Sequence, residues 1–154
     1  MPVELNDEQD DPLELEDLGA VATAVLRGER LPDQTQVSLT FIETDEMTVL
    51  NEEHMGRTGP TDVLAFPIEA LLPGRVPEQD ADGPPLLLGD VVVCPQVVRR
   101  QAAAADVPFE DEMALMVVHG MLHLLGYDHV VDADAEVMER RERDLLAVVG
   151  RERP

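Results

Sequence analysis

The segment from His119 to His129 most constrains how this chain can fold, because it places three of the four histidines within eleven largely apolar residues. His119 and His123 are four residues apart, so in a helix their imidazoles share one face, about 5–6 Å apart at Cβ. An apolar helix of this kind must be buried, and a buried imidazole without a partner is costly. The pattern therefore predicts a buried helix whose histidines share a metal ion.

A third ligand is expected from the turn after this helix. Gly126 stands where the helix would end, because glycine readily takes the left-handed conformation that many helices use beyond their last turn. The chain can then double back and present His129 to the same point. Three neutral imidazoles suit one zinc ion per chain and leave a fourth position for water, as in catalytic sites. Nickel, iron or copper could occupy the same ligands, and the alternative is that the histidines are satisfied core residues without a metal.

Length and composition bound the class of protein. The 154 residues contain no repeat and are expected to form one domain, residues 1–154. The single cysteine, Cys94, excludes an internal disulfide framework and indicates a reducing compartment. Neither a membrane span nor a signal peptide is recognisable, so we expect a cytoplasmic protein without membrane contact, and the sequence leaves its oligomeric state open.

The charge balance restricts how a nucleic acid could bind. The formal net charge is −22, and the positive charges are all arginines. A polyanion such as RNA is repelled by this average field. Any nucleic-acid contact would therefore run through a local arginine cluster or through the metal.

Apolar periodicity predicts four strands and about five helices around one sheet. The strands are expected at residues 3–6, 37–42, 63–66 and 86–93. The helices are expected to begin near Pro12, at a capping Thr44 or Asp45, at Pro95, near Phe109, and at a capping Asp132 or Asp134. Because the last two strands follow one another without a helix between them, we expect one antiparallel pair in a mixed four-stranded sheet, an α/β (α+β) fold. Residues 68–85, rich in proline, glycine and acid, are predicted to form a mobile surface loop.

Three segments together resemble a known family. They are HGMLHLLGYDH at 119–129, PTDVLAFP at 60–67 and LGDV at 88–91, and in this order they resemble the YbeY family of bacterial metallo-endoribonucleases. The resemblance implies a zinc-dependent endonuclease for single-stranded RNA that acts in ribosomal RNA processing, notably at the 3′ end of small-subunit RNA, and in ribosome quality control. It implies ribosomal RNA and the small ribosomal subunit with its proteins as partners, and the three histidines as zinc ligands.

The chain departs from the family pattern at the residues expected to bind RNA. Members usually carry an arginine five residues before the proline that opens the second segment, and this position is Met55. Arg57 could reach the same phosphate, or the role could belong to Arg99 and Arg100. The position before the strand's phenylalanine, usually serine, is Ala65.

Two other functions remain open at this stage. The histidine spacing is also that of the metzincin proteases, where a glutamate follows the first histidine and serves as general base. Gly120 occupies that position here, which argues against a peptidase, although a hydrolase of another substrate stays possible. The third hypothesis is a zinc-stabilised, ribosome-associated assembly factor with little nuclease activity.

The remaining candidate site residues are Asp62, Asp128 and Arg57, in catalytic or orienting roles. Asp128 could accept a hydrogen bond from a ligand or shape the turn, and Asp62 could orient a ligand or a water or cap a turn. An activated water could attack the phosphodiester in line, or it could accept the proton of a ribose 2′-hydroxyl so that the RNA cleaves itself. Analysis of the product ends distinguishes these routes, because only the second leaves a 2′,3′-cyclic phosphate.

Overall fold

The computed structural model describes residues 2–75 and 83–154. Within these residues, the elements in chain order are β1 (Val3–Glu8), α1 (Leu15–Gly28), β2 (Gln36–Ile42), α2 (Thr44–Met55), β3 (Val63–Pro67), β4 (Leu87–Val93), α3 (Pro95–Ala105), α4 (Phe109–Leu124) and α5 (Asp132–Val148). The prediction of four strands and five helices is thereby confirmed.

The four strands form one mixed sheet in the order β1-β2-β4-β3. β1, β2 and β4 are parallel, whereas β3 and β4 are antiparallel. The parallel pair β1 and β2 is joined through helix α1, as parallel neighbours require. Between β3 and β4, the described residues 68–75 and 83–86 contain no helix. The expected antiparallel pair is confirmed, and it leaves β3 at one edge of the sheet.

The N-terminal elements begin and end at other residues than the sequence predicts. β1 continues to Glu8 instead of ending near residue 6, because its last two residues also pair with β2. Helix α1 begins at Leu15 rather than near Pro12. The Gln9 side chain both donates to the carbonyl of Asp11 and accepts from its N–H, which holds a turn ahead of the helix.

The side-chain caps predicted for α2 and α5 do not form. Thr44 and Asp132 are each the first residue inside their helix, so neither occupies the capping position. Glu43 and Val131 precede them in extended backbone, and neither side chain bonds to the helix N-terminus.

Helix α4 is the centre of the fold. It contacts β3 and β4 of the sheet as well as helices α1, α3 and α5. Its buried residues therefore cover most of its surface: Met113, Ala114, Leu115, Met116, Val117, Val118, Gly120, Met121, Leu122 and Leu124. Burying one large apolar side chain contributes about 1.5–3 kcal/mol, so this helix is held firmly in place and can present side chains at defined positions. The described helices include none that is long and apolar enough to cross a membrane.

Gly120 allows α4 to approach the sheet closely. A Cβ at this position would lie 2.6 Å from Cγ1 of Val91 and 3.1 Å from Cγ2 of Val63. A glutamate could therefore not be placed here unless the Val91 side chain, or the strand that carries it, shifted. Packing thus supplies a physical reason for the absence of the metzincin general base.

The described part of segment 68–85 contains a contact with the turn after α4. A Cβ at Gly126 would lie 2.1 Å from the carbonyl oxygen of Leu71, so the two backbones are in close contact. Residues 76–82 of the predicted mobile loop lie outside the described residues. Leu71 and Leu72 thus pack directly against the turn between His123 and His129.

Candidate metal centre and its groove

Helix α4 and the turn after it bring three histidines together. One ring nitrogen from each of His119, His123 and His129 lies within 4.8 Å of the other two. The helix ends at Leu124, and Gly126 has φ +95°, the left-handed conformation predicted for it. The turn therefore reverses the chain and brings His129 beside the two helical histidines.

The protonated nitrogen of His119 is determined by Glu142 of helix α5. Oε2 of Glu142 lies 2.7 Å from Nδ1 of His119, and Oε1 accepts a hydrogen bond of 3.0 Å from Nε of Arg153. Burial raises the pKa of Glu142, but the hydrogen bonds from His119 and Arg153 outweigh it, and the net shift of the pKa is downward. An ionised carboxylate can only accept, so Nδ1 of His119 carries the proton and Nε2 keeps its lone pair.

His123 is oriented by a backbone carbonyl of the turn. Its Nδ1 lies 3.0 Å from the carbonyl oxygen of Tyr127. Because a carbonyl can only accept, Nδ1 carries the proton and Nε2 again keeps its lone pair. Burial, followed by the charges of His119 and His129, lowers the pKa of His123 and favours the neutral ring that a metal requires.

The positions of the two Nε2 atoms fit a shared metal ion. They lie 3.1 Å apart, yet in neutral rings that carry their proton on Nδ1 neither Nε2 has a proton to donate to the other. Two lone pairs directed at one point repel each other unless a proton or a cation lies between them. The donor set of three imidazoles suits zinc and also other transition metals, so the residues fit a divalent transition metal.

His129 is held less tightly than the two helical histidines. Its side chain is exposed, and its ring centre lies 5.2 Å from that of His119 and 5.1 Å from that of His123. Oδ1 of Asp128 accepts hydrogen bonds from the backbone N–H of His129 at 2.7 Å and of Val130 at 3.3 Å. Of the two roles considered for Asp128, the geometry therefore favours shaping the turn.

The histidines lie in an open groove of about 840 Å³ between α4, β3 and the C-terminal residues. Met55, the last residue of α2, and Arg57, just beyond it, line the same groove. Asp62 and Glu112 line it as well. Oδ1 of Asp62 accepts hydrogen bonds from N–H of Val63 at 2.7 Å and from the Thr61 hydroxyl at 3.2 Å. These bonds match the turn-capping role considered for Asp62.

Glu112 is a groove carboxyl that the sequence did not single out. It lies on α4 seven residues before His119, hence on the same helical face. Burial and the nearby charge of Asp62 raise its pKa, and Arg153 opposes the shift. The groove therefore combines three acidic side chains, Asp62, Glu112 and Asp128, with two arginines, Arg57 and Arg153.

The three candidate arginines occupy different places. Arg57 is exposed and lines the groove. Arg99 pairs with Asp11 at 3.6 Å and stacks on the ring of Phe109 at 3.9 Å, and it does not line the groove. Arg100 is exposed on the same helix and does not line the groove either. Among the predicted candidates, Arg57 is thus the one beside the histidines.

Sequence reasoning missed Glu142 and Arg153, although one signal pointed to the first. Glu142 lies four residues after Met138 and three before Leu145, so it interrupts the apolar stripe of α5. Its exposed fraction is 1%, whereas the apolar Val137 of the same helix is 47% exposed. A charged residue on an apolar helical stripe indicates a buried polar partner, and here that partner is His119.

Comparison with known proteins places this site in a family. The family profile described as Endoribonuclease YbeY matches residues 4–150. A protein named Endoribonuclease YbeY from Acidothermus cellulolyticus is 46% identical over 89% of this chain and 83% of its own length. The protein of the same name from Nocardioides sp. is 38% identical over 96% of this chain and 97% of its own.

The fold is also similar to a solved structure. A solution structure of a protein from Thermotoga maritima superposes with a TM-score of 0.60 at 27% identity, and the match covers 96% of this chain and 88% of that one. The family profile matches nearly the whole length, and these relatives are well above 30% identical to this chain. The chain belongs to the Endoribonuclease YbeY family.

Proposed function

We propose that this protein is a zinc-dependent endoribonuclease that cleaves single-stranded RNA during ribosomal RNA maturation. The observation that carries the proposal is the arrangement of His119 and His123, whose Nε2 lone pairs face one another at 3.1 Å while Nδ1 of each ring is engaged elsewhere. The names of the relatives supply the substrate class.

His119, His123 and His129 would hold the metal. Bound there, one zinc ion supplies Lewis-acid chemistry and lowers the pKa of water toward about 7. Glu142 and the Tyr127 carbonyl keep the two helical imidazoles in the ligating tautomer. These two contacts come from the protein itself, so the two helical imidazoles do not need the metal to take this tautomer.

The charged side chains of the groove determine where the RNA backbone can bind. Arg57 is the exposed cation of the groove, and in the described part of the chain its guanidinium has no ion pair. It can therefore contact a phosphate without losing an intramolecular partner. Glu112 and Asp62 line the same groove, and because carboxylates repel a phosphate they restrict the path of the RNA backbone.

The cellular setting belongs to the same proposal. We infer that the RNA is ribosomal, that cleavage contributes to 3′-end maturation of small-subunit RNA and to ribosome quality control, and that the small subunit and its proteins are partners in the cytoplasm. The strongly acidic surface, with a net charge of −22, supports recognition through a docked ribosomal partner, since free RNA is repelled at long range.

The test combines metal analysis with a cleavage assay on single-stranded RNA. Wild type is compared with His123→Ala, and Arg57→Ala is compared with Arg99→Ala as a matched change of charge. We expect one zinc per wild-type chain and cleavage that His123→Ala abolishes. Arg57→Ala should weaken RNA binding more than Arg99→Ala does. Equal cleavage by wild type and His123→Ala would remove the metal from the mechanism.

A further inference from the structure

The open edge of β3 forms one wall of the metal groove. β3 is the last strand in the order β1-β2-β4-β3, so within the described residues it pairs only with β4. Thr61, Asp62, Val63, Leu64, Ala65 and Pro67 all line the groove that contains the histidines. Peptide groups at a sheet edge are unpaired donors and acceptors.

The register determines which peptide groups face outward. The N–H of Cys94 donates to the carbonyl of Asp62, and the N–H of Ile68 donates to that of Leu88. In an antiparallel ladder, hydrogen-bonded residues alternate with residues that point the other way. The peptide groups of Asp62, Leu64, Phe66 and Ile68 therefore point to β4. Those of the residues between them, Val63, Ala65 and Pro67, point to the open edge.

Ala65 is the residue at this edge with both a free donor and a free acceptor. The N–H of Val63 is already bound to Oδ1 of Asp62 at 2.7 Å, and Pro67 has no N–H. In the described part of the chain, no other strand or side chain bonds to the peptide groups of Ala65. One N–H and one C=O of the same residue therefore face the groove side by side.

This pair lies close to the proposed metal ligands. Cγ2 of Val63 would be 3.1 Å from a Cβ at Gly120, the residue that follows His119. Ala65 is two residues along the same edge, and its side chain packs on the core cluster that includes α4. A group bound at the Ala65 edge would occupy the same groove as the metal.

The chemistry of the edge selects a nucleobase over a phosphate. A neutral donor beside a neutral acceptor matches the Watson–Crick edge of a base, which single-stranded RNA leaves free. Asp62 and Glu112 line the same groove; they repel a phosphate and accept from a base amino group. An extended peptide would need several consecutive peptide pairs, but Pro67 and the occupied N–H of Val63 leave one.

We propose that the backbone of Ala65 forms a nucleobase subsite, where its N–H and C=O hydrogen-bond one base of single-stranded RNA beside the metal centre. This inference rests on the proposed endoribonuclease function, whose substrate it describes at the level of one nucleotide. A backbone contact of this kind requires a base but does not select among the four bases, since each base carries both donors and acceptors on that edge.

Amide hydrogen exchange tests the subsite without a mutation. In the zinc-loaded protein, the Ala65 amide should exchange at least tenfold faster than the amides of Leu64 and Phe66, which point to β4. Adding a cleavage-resistant single-stranded RNA, with phosphorothioate linkages and 2′-O-methyl riboses, should slow exchange at Ala65 by tenfold or more. Unchanged exchange at Ala65 with saturating RNA would overturn the subsite.

Ala65→Pro removes the donor, and Ala65→Val is the matched control that keeps it. Because this N–H makes no ladder bond, proline is tolerated at the edge, and circular dichroism and zinc content check that each variant folds. We expect Ala65→Pro to raise Kd for the RNA about fivefold to tenfold, in line with the loss of one hydrogen bond. Ala65→Val also adds bulk but keeps the N–H, so it should raise Kd by less than Ala65→Pro does, and equal effects of the two variants would contradict the backbone contact.

A double-mutant cycle combines Ala65→Pro with RNAs that lack one base. The single abasic nucleotide is moved along the strand from one RNA to the next. One abasic position should weaken wild-type binding and leave Ala65→Pro unaffected. Equal losses of RNA affinity in both proteins at every abasic position would overturn the base contact. Binding of an extended peptide to wild type and Ala65→Val, but not to Ala65→Pro, would overturn it as well. A wild type that binds zinc yet cuts no single-stranded RNA would instead refute the proposed function, which separates the two failures.

Discussion

The two helical histidines and the histidine of the turn are positioned by different means. His119 and His123 project from a buried helix, and Nδ1 of each ring is engaged by a partner, Glu142 or the Tyr127 carbonyl. His129 is exposed, and Asp128 holds its backbone rather than its ring. The helical half of the site is thus prepared for metal by packing, whereas the turn half depends on local hydrogen bonds and on contact with segment 68–75.

Removing one ligand from each half is the strongest test of this difference. His123→Ala should lower zinc affinity by more than the roughly 10- to 100-fold expected for loss of a ligand's hydrogen-bond partner. His129→Ala should lower it less, because water can replace an exposed ligand. Competition with a chromophoric chelator measures both affinities, and equal losses would contradict the distinction between the two halves.

Gly126→Ala should destabilise the turn after α4 more than substitution of its charged residue, Asp128, does. At φ +95°, with the Leu71 carbonyl oxygen 2.1 Å from the new Cβ, we expect a loss of about 2–4 kcal/mol in the free energy of unfolding. Gly150→Ala is the matched control: φ is +75° and no atom lies within 4 Å of its Cβ, so a loss of about 1 kcal/mol is expected. Urea denaturation of the metal-free variants gives both values, and similar losses would show that Leu71 does not restrain the turn.

Glu142→Gln tests the helical half. An amide cannot accept from both His119 and Arg153 through its two terminal atoms, because one of these atoms is itself a donor. We expect zinc affinity to fall about 10- to 100-fold. Glu139→Gln, on the same helix and 46% exposed, should leave zinc affinity nearly unchanged. If the two variants bind zinc equally well, Glu142 does not orient His119.

A smaller effect is expected from Asp128→Ala in the turn half. The variant loses the acceptor for the N–H groups of His129 and Val130, and zinc affinity should fall by less than about tenfold, below the effect of Glu142→Gln. Asp128→Asn should recover most of the affinity, because an asparagine oxygen can form the same turn. Isothermal titration with zinc compares the two variants, and no rescue by asparagine would mean that the charge itself is needed.

The smallest change concerns the pH dependence of stability. The pKa of Glu112 is raised above its ordinary value of 4.5, so the folded protein holds this proton more tightly than the unfolded chain does. Its contribution to stability is full below pH 4.5 and is lost as the pH rises through the folded-state pKa. Glu112→Gln should therefore unfold like wild type at low pH and be more stable by about 0.5 kcal/mol at pH 7. Thermal melts of metal-free protein between pH 4 and 8 check the sign, and a less stable variant at pH 7 would contradict it.

Local sequence patterns predicted the elements of the site because those patterns act within one helix or turn. Three patterns each determine the geometry of a few neighbouring residues. The spacing of His119 and His123 puts both rings on one helix face, and Gly126 permits the turn after the helix. The missing helical pattern before β4 indicates an antiparallel strand pair. The predicted boundaries failed at β1 and α1, where strand pairing with β2 and the bonds between Gln9 and Asp11 decide the ends. Such contacts depend on partners that periodicity does not reveal.

The partners of the site were less predictable than its ligands. Glu142 follows His119 by 23 residues, and in the sequence it stands among the arginines and acids of α5 like a surface residue. Asp128 was considered either as the orienting acceptor or as a residue that shapes the turn, because it adjoins His129, and its bonds to the backbone match the second role. A carboxylate orients an imidazole only where two helices pack together, so adjacency in the chain was a poor guide.

What the sequence by itself determined is the kind of site: three imidazoles from an apolar helix and its turn, in a chain whose motifs match one family. Only the tertiary structure decided how that site is supported and what surrounds it. Packing of α5 on α4 brought Glu142 to His119, and the close approach of Gly120 to Val91 left no room for a side chain. The strand order left the Ala65 edge open. Ligand spacing is a property of a few neighbouring residues, whereas hydrogen-bond partners, clearance and free edges arise from elements distant in sequence, which meet only when the core is packed.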